Sequence, residues 1–290
     1  MVGKELAKFP LAVEIQTASY CNGGCIICPY KTVAQDLPFG YMDQDLFEKI
    51  IKEISQYPET RIIPYFNNEP FLDCFFVERL RFIRAHCPSH VIELSTNISM
   101  LNKDVLDSMK GLYIDDLRIS FFSLEKRSYK KIMTGLNWDT TRTNLKTLLE
   151  TPKYRGLFGK IGLINIDIKE MTSSEIKNAK TFCEENNINY ELWGFLDRAG
   201  NVKGRSNEID KQIVKGCEQN RPLERMHVVF DGRVVLCCMD WRWENILGNI
   251  NQNSLKGIWL SDDYDNLRKS IYNPDLSTPE LCEKCKLAIE

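Results

Sequence analysis

The sequence holds no apolar run approaching the roughly 18 residues that a bilayer-spanning helix needs. Its opening, MVGKELAKFPLAVEIQ, lacks the long apolar stretch and small-residue cleavage site of a secretory signal. Neither sign of charge predominates. Lys and Arg number 38 against 40 Asp and Glu, a formal net charge of -2, which excludes a broad electrostatic grip on nucleic acid or an anionic membrane. Internal repeats and low-complexity tracts are also missing. What remains is an ordinary globular composition, 43% hydrophobic and 27% charged, and a cytoplasmic location is expected. At 290 residues the chain can bury a full core without staples, as about two domains or one large barrel with an appendage.

Cysteine, by contrast, is plentiful. Eleven occur, an odd count that fits a disulfide framework poorly. In a reducing compartment clustered thiols point to metal or catalysis. Cys74, Cys87 and Cys183 lie scattered in helix-like, apolar segments and read as small buried hydrophobes. The other eight fall into two groups.

From residue 11 to about 195, strand-like and helix-like stretches alternate. Strands are expected at 11–19, 61–66, 90–96, 117–123, 160–168 and 190–195. Helices are expected at 43–56, 74–87, 101–111 and 173–187, the last opened by a serine cap, with one or two more within 125–151. Alternation of this kind implies parallel strands joined by right-handed crossovers. Six such units make a partial barrel, with ligand sites at the C-terminal strand ends. The pattern then changes. Residues 197–216 read as a polar linker, 226–238 as a hairpin turning at Asp231-Gly232, and 254–273 as one helix. The expected division is a short extension (1–10), an α/β partial barrel (11–196), the linker, and a small α+β C-terminal domain (217–290).

Cys21, Cys25 and Cys28 sit in ASYCNGGCIICPY just past the first strand, spaced C-x3-C-x2-C. Three thiolates on one loop can hold three irons of a 4Fe–4S cube and leave the fourth open for a ligand. Asn22, Gly23 and Gly24 let the backbone wrap closely. Zinc is the rival metal, but it wants four ligands, and no fourth Cys or His lies nearby. This spacing after a first barrel strand resembles the radical S-adenosylmethionine (SAM) superfamily. The resemblance implies that SAM chelates the open iron and is cleaved by one electron to a 5'-deoxyadenosyl radical, which takes a hydrogen atom from substrate. It also implies a flavodoxin- or ferredoxin-type electron donor.

Asn67-Asn68-Glu69-Pro70 resembles the family's Gly-Gly-Glu-Pro motif, with two asparagines in place of glycines. Glu69 would receive the SAM ammonium. By the same resemblance Ser95 and Asn97, ending the third strand, would meet the ribose. Ser120 would face the same cavity, Asn165 would lie near the adenine, and Ile27 would pack against it.

Cys217, Cys237, Cys282 and Cys285 form a second group, C-x14-G-x4-C, a gap of 44 residues, then C-x2-C. Four thiolates complete a cluster; a four-cysteine zinc site is the chemical alternative. Cys238 adjoins Cys237, and neighbours on a strand point to opposite faces. One ligates and one packs, and the position five after Gly232 favours Cys237. The layout, with FDGRVVLCCMDW, LGNI and SLKGIW, resembles the twitch domain, the shortened form of the SPASM domain. The resemblance implies a second 4Fe–4S cluster.

A four-thiolate cluster has no open iron but can accept an electron, which points to oxidation. Twitch-bearing relatives include dehydrogenases of aminocyclitols and sugars in antibiotic assembly, so oxidation at a hydroxyl-bearing carbon of a small molecule is expected. Maturation of a ribosomal peptide is the alternative. The short stretch before the first strand argues against the added peptide-recognition domain of such enzymes. A non-enzymatic zinc module is the reading from another class. Asp197, Arg198 and Asp240 are the candidate catalytic groups.

Overall fold

The computed structural model describes residues 6–202, 204–205 and 212–290. Residues 1–5 of the expected extension and residues 203 and 206–211 of the expected linker lie outside them. The chain forms two compact units. One comprises residues 1–19, 28–67 and 196–290, and the other residues 20–27 and 68–195.

All six strands expected for the barrel form: β1 (Ala12–Ile15), β2 (Arg61–Ile63), β3 (Glu93–Thr96), β4 (Ile114–Ser120), β5 (Phe158–Asp167) and β6 (Asn189–Gly194). Hydrogen bonding distributes them as two and four. In the second unit β3, β4, β5 and β6 make a parallel sheet in sequence order. Its inward side chains, including Leu94, Leu117, Ile119 and Leu163, are fully buried, as expected for parallel strands covered on both faces.

In the first unit β1 and β2 pair in parallel, and β1 also pairs in parallel with β8 (Arg225–Val228). Before β8 comes β7 (Gly216–Cys217); after it come β9 (Arg233–Val235) and β10 (Ile246–Asn249), giving the order β10-β9-β8-β1-β2. The expected hairpin is β8–β9. Gly232 turns it at φ +90°, and a Cβ there would meet Asn251 Nδ2 at 2.7 Å, so only glycine suits. On β1, Glu14 stands opposite His227 in register. Burial works against its charge, but His227 at 3.3 Å and Arg225 at 3.0 Å, with Arg221, hold its carboxyl down to about 2.

The helix Gln44–Ile54 buries Leu46, Ile50, Ile51 and Ile54 as its periodicity requires, and Asp43 caps it by accepting from two backbone N–H groups. Helix Ser173–Glu185 is capped by Thr172 rather than a serine, because Thr172 and Glu175 close a reciprocal capping box. The single helix expected over 254–273 is two, Leu255–Trp259 and Asp262–Tyr272, since Ser261 caps the second. Cys87 and Cys183 are buried, and burial raises their thiols to about 11 and about 12. Cys74 is exposed, contrary to expectation, because it lies in the turn before helix Phe76–His86 rather than on its buried face. At the C-terminus β11 (Ala288–Ile289) runs antiparallel to β7, setting Ala288 opposite Cys217. No helix among the described residues is long and apolar enough to cross a membrane.

Candidate functional site

In the second unit the loop that follows β1 is fixed by backbone bonds. Gly24 N–H donates to Thr134 O at 2.6 Å and Ile26 N–H to Ile132 O at 2.9 Å, and the Thr134 hydroxyl returns a bond to Gly24 O. Gly23 lies under two sulfurs. A Cβ built there would stand 3.4 Å from Cys25 Sγ and 3.7 Å from Cys21 Sγ, so a side chain would fill the space that two ligating thiolates need. Cys28 belongs to the first unit. Burial raises its thiol, while the Tyr30 N–H and the Arg198 charge oppose that rise.

Asn22, between Cys21 and Gly23, ties the loop to the end of β3. Its Oδ1 accepts from Asn97 Nδ2 at 3.0 Å and its Nδ2 donates to Ser99 Oγ at 2.9 Å. Glu69 N–H donates to Tyr20 O at 2.9 Å. The Glu69 carboxylate accepts from Thr96 Oγ1 at 2.6 Å, Asn97 N–H at 2.8 Å and Phe71 N–H at 3.4 Å. It is 2% exposed, and burial raises it to about 7 despite those three donors. A buried carboxylate at this pH is poised to gain from a ligand cation. Ile98 follows at φ 59°, a left-handed position that is rare for a β-branched side chain. It is over-determined there. Thr96 Oγ1 accepts its N–H at 2.9 Å, and Asn144 Nδ2 donates to its carbonyl at 3.0 Å.

Glu69, Asn97 and loop residues 20–27 are thus tied together within the second unit. Thr96 lies in the expected Ser95-Thr96-Asn97 segment, but its bond to Glu69 was not foreseen; Asn144 and the linking role of Asn22 were missed, since no local motif marks them. Ile27 is buried, while Asn68, Ser95 and Ser120 are half-buried. Asn165 differs from its expected role. It is fully buried, its Nδ2 donates to Phe121 O at 2.7 Å and its Oδ1 accepts from Tyr190 OH at 3.2 Å, so its amide clamps β4 to β6 instead of offering itself to a ligand.

In the first unit the second cysteine group converges. Cys217, Cys237, Cys282 and Cys285 line one cavity with otherwise mainly apolar walls. Pairing of β7 with β11 brings Cys217 to the tail, and the hairpin delivers Cys237. Backbone N–H groups of Met239 and Leu287 donate to Cys237 Sγ and Cys285 Sγ at 3.4 Å each, the kind of bond that stabilises a ligating thiolate. Burial raises the Cys282 thiol to about 12, with Cys285 and Cys217 as further causes, and raises Cys237 strongly. Thiols this near one another cannot ionise together without bound metal to offset the charge. Four cysteines on one cavity wall are the number of thiolates that fills a 4Fe–4S group. The four residues therefore fit a 4Fe–4S group. Cys238 is absent from the cavity wall, and its Sγ accepts from Arg221 Nη1.

Of the candidate catalytic groups, Asp240 has another task. Its carboxylate accepts from Glu244 N–H and Asn245 N–H at 2.9 Å each, which closes the loop after β9. Asp197 is 2% exposed with Lys286 Nζ at 3.8 Å. Arg198 has φ 57° and points Nη1 toward Met239 Sδ at 3.9 Å. The first unit also holds a narrow cleft lined by Ser19, Tyr30, Phe39, Asn67, Trp241 and Trp243. Trp241 Nε1 and Asn67 Nδ2 are buried there without a hydrogen-bond partner. Trp243 is held at φ 55°, with Arg233 stacked 4.6 Å from its ring.

Comparison with known proteins fits this geometry. The family model of the radical SAM superfamily matches residues 15–171, and that of the SPASM iron–sulfur cluster-binding domain matches residues 217–286. The S-adenosyl-L-methionine-dependent 2-deoxy-scyllo-inosamine dehydrogenase of Niallia circulans is 21% identical, over 94% of this chain and 91% of its own. A Pyrococcus furiosus cofactor-modifying protein for tungsten-containing aldehyde ferredoxin oxidoreductase is 22% identical, over 93% of this chain and 87% of its own. Among solved structures, BtrN with AdoMet and 2-DOIA superposes with a TM-score of 0.64 at 18% identity, covering 96% of this chain and 93% of that one. SuiB of Streptococcus suis, bound to its precursor peptide SuiA, gives 0.70 at 16%, covering 97% and 71%.

Proposed function

The chain belongs to the radical SAM superfamily and carries a SPASM iron–sulfur domain, and from that premise we propose that it oxidises a hydroxyl-bearing carbon of a small molecule. The observation that carries this reading is the cavity shared by Cys217, Cys237, Cys282 and Cys285. Four thiolates leave no iron open to bind substrate, so the site suits electron acceptance. When bound, SAM and its cluster supply the 5'-deoxyadenosyl radical that takes the carbon-bound hydrogen atom, and the auxiliary cluster supplies the acceptor for the electron shed next.

The chain's own residues divide the remaining work. Cys21, Cys25 and Cys28 hold the first cluster. Glu69 receives the SAM ammonium, oriented by Thr96 and the Asn97 N–H. Ser95, Asn97, Ser120, Asn68 and Ile27 are the proposed contacts to the rest of SAM. Trp241 Nε1 and Asn67 Nδ2, two buried donors beside aromatic walls, are the proposed contacts to substrate hydroxyls. Asp197 is the proposed acceptor of the hydroxyl proton; with the hydrogen atom, the proton and one electron gone, alcohol becomes ketone. A sugar or aminocyclitol of natural-product assembly is the proposed substrate class, and a flavodoxin or ferredoxin the proposed donor. The likeness of the dehydrogenase over nearly the whole of both chains supports this.

The test uses 2-deoxy-scyllo-inosamine and related cyclitols deuterated at the carbinol carbon. Deuterium in 5'-deoxyadenosine together with a product two hydrogens lighter supports oxidation. Peptide maturation is the second reading, favoured by the fold likeness to SuiB. Deuterium transfer from peptides alone, with none from any cyclitol or sugar, would overturn the first in its favour.

A further inference from the structure

Arg221 lies four residues after Cys217 and opens the short helix Arg221–Glu224. It lines the same cavity as the four candidate cluster cysteines and is the one cation among the described lining residues. Its guanidinium is braced on two sides. Nε and Nη2 donate to Gln219 Oε1 at 2.9 and 2.5 Å, and Nη1 donates to Cys238 Sγ. Burial works against its charge, but the sulfurs of Cys238, Cys237 and Cys217 and the Glu14 carboxylate favour the protonated form. None of the described neighbouring cations lines the cavity: Arg225 is paired with Glu14, Lys284 with Glu280 and Lys286 with Asp197, and Arg198 reaches only the Sδ of the wall residue Met239 at 3.9 Å.

We propose that Arg221 sets the reduction potential of the auxiliary cluster by placing a fixed positive charge beside it. Each electron added makes a four-thiolate cluster one charge more negative. A nearby cation in a poorly polarisable pocket stabilises the reduced form more than the oxidised one and raises the potential. Gln219 and Cys238 fix the guanidinium in one place at the edge of the cavity that Arg221 lines, which gives the second cysteine of the Cys237-Cys238 pair a task other than ligation. Arg221 is a positioning residue in this sense, acting through the cluster. The consequence for turnover rests on the proposed role of that cluster as the substrate's electron acceptor.

The experiment is an EPR-monitored potentiometric titration with dithionite. It is done in a Cys21→Ala, Cys25→Ala, Cys28→Ala background, so that only the auxiliary cluster signals. Arg221→Met is expected to favour the oxidised cluster at least tenfold, a potential lower by about 59 mV for one electron. Arg221→Lys, which keeps the charge, is expected to shift it by less than half as much. Where Arg221→Met fails to retain its cluster, Arg221→Gln removes the charge but keeps a donor for Cys238, with the same expected shift. A neutral variant with a full complement of iron and the parent's potential overturns the proposal, as does a shift equally large in Arg221→Lys. In the enzyme with both clusters, a lowered potential with undiminished product contradicts the electron-acceptor reading and leaves Arg221's effect on the cluster standing.

Discussion

Cys21, Cys25 and Cys28 fall within eight residues of one loop, whereas Cys217, Cys237, Cys282 and Cys285 come from three stretches separated by as many as 44 residues. The loop is tied by backbone bonds from Gly24 to Thr134 and from Ile26 to Ile132. The tail is closed by a ladder of only two residues per strand, β7 on β11, around a cavity walled by thiols. Metal bound there is folding free energy. The difference teaches that, on the proposed reading, the loop would hold its cluster on a scaffold already tied by backbone bonds, while a cluster in the tail would also help to close its own scaffold.

The largest expected effect separates these two roles. Replacing Cys21, Cys25 and Cys28 by alanine should abolish SAM cleavage, halve the iron from about eight to about four per chain, and leave Tm within about 2 °C. Replacing Cys282 and Cys285 should remove the other half and lower Tm by roughly 5 °C or more. Equal thermal losses in anaerobic melts would erase the distinction.

Glu69 sharpens the comparison on the SAM side. Glu69→Gln should weaken SAM binding by about ten- to a hundredfold, the worth of a charge-assisted bond. The pH dependence has a definite sign. Glu69 is raised by burial from 4.5 to about 7. Its contribution to stability of the unliganded fold is therefore complete below pH 4.5 and is lost as pH rises through about 7. SAM affinity should run the other way and rise across pH 6 to 8, because the ammonium needs the carboxylate. Calorimetry should find this slope in the wild type and a flat profile in Glu69→Gln. Thr96→Val removes one donor to that carboxylate. A loss of about three- to tenfold in SAM affinity is expected, with the pH midpoint moved upward; an unmoved midpoint would exclude Thr96 from the site.

The smallest effect belongs to Asp240. With its carboxylate closing a loop, Asp240→Asn should cost about 1 kcal/mol of stability and leave the pH profile of product formation unchanged. Loss of the basic limb of that profile would restore it as the proton acceptor.

The loop site was legible because its ligands, glycines and strand are contiguous, and periodicity located all six barrel strands. Sequence could not foresee that β1 pairs with β8, because that partner lies some 210 residues away and nothing in either strand names the other. Arg221 was equally hidden. An arginine four residues from a cysteine is unremarkable until the hairpin and tail fold around it. Asp240 and Asn165 share one lesson: residue type and position suggest a ligand contact, but only the fold reveals the internal hydrogen bonds that their polar atoms make.

The most direct test of the central claim separates hydrogen abstraction from oxidation. A Cys282→Ala, Cys285→Ala variant, shown to be folded and to keep its first cluster, is incubated with SAM, reductant and the substrate that gives deuterium transfer. Substrate-dependent 5'-deoxyadenosine should persist while oxidised product falls at least tenfold. Undiminished oxidised product from that variant would contradict the account, leaving the tail cluster a structural staple and a redox-neutral reaction the better reading.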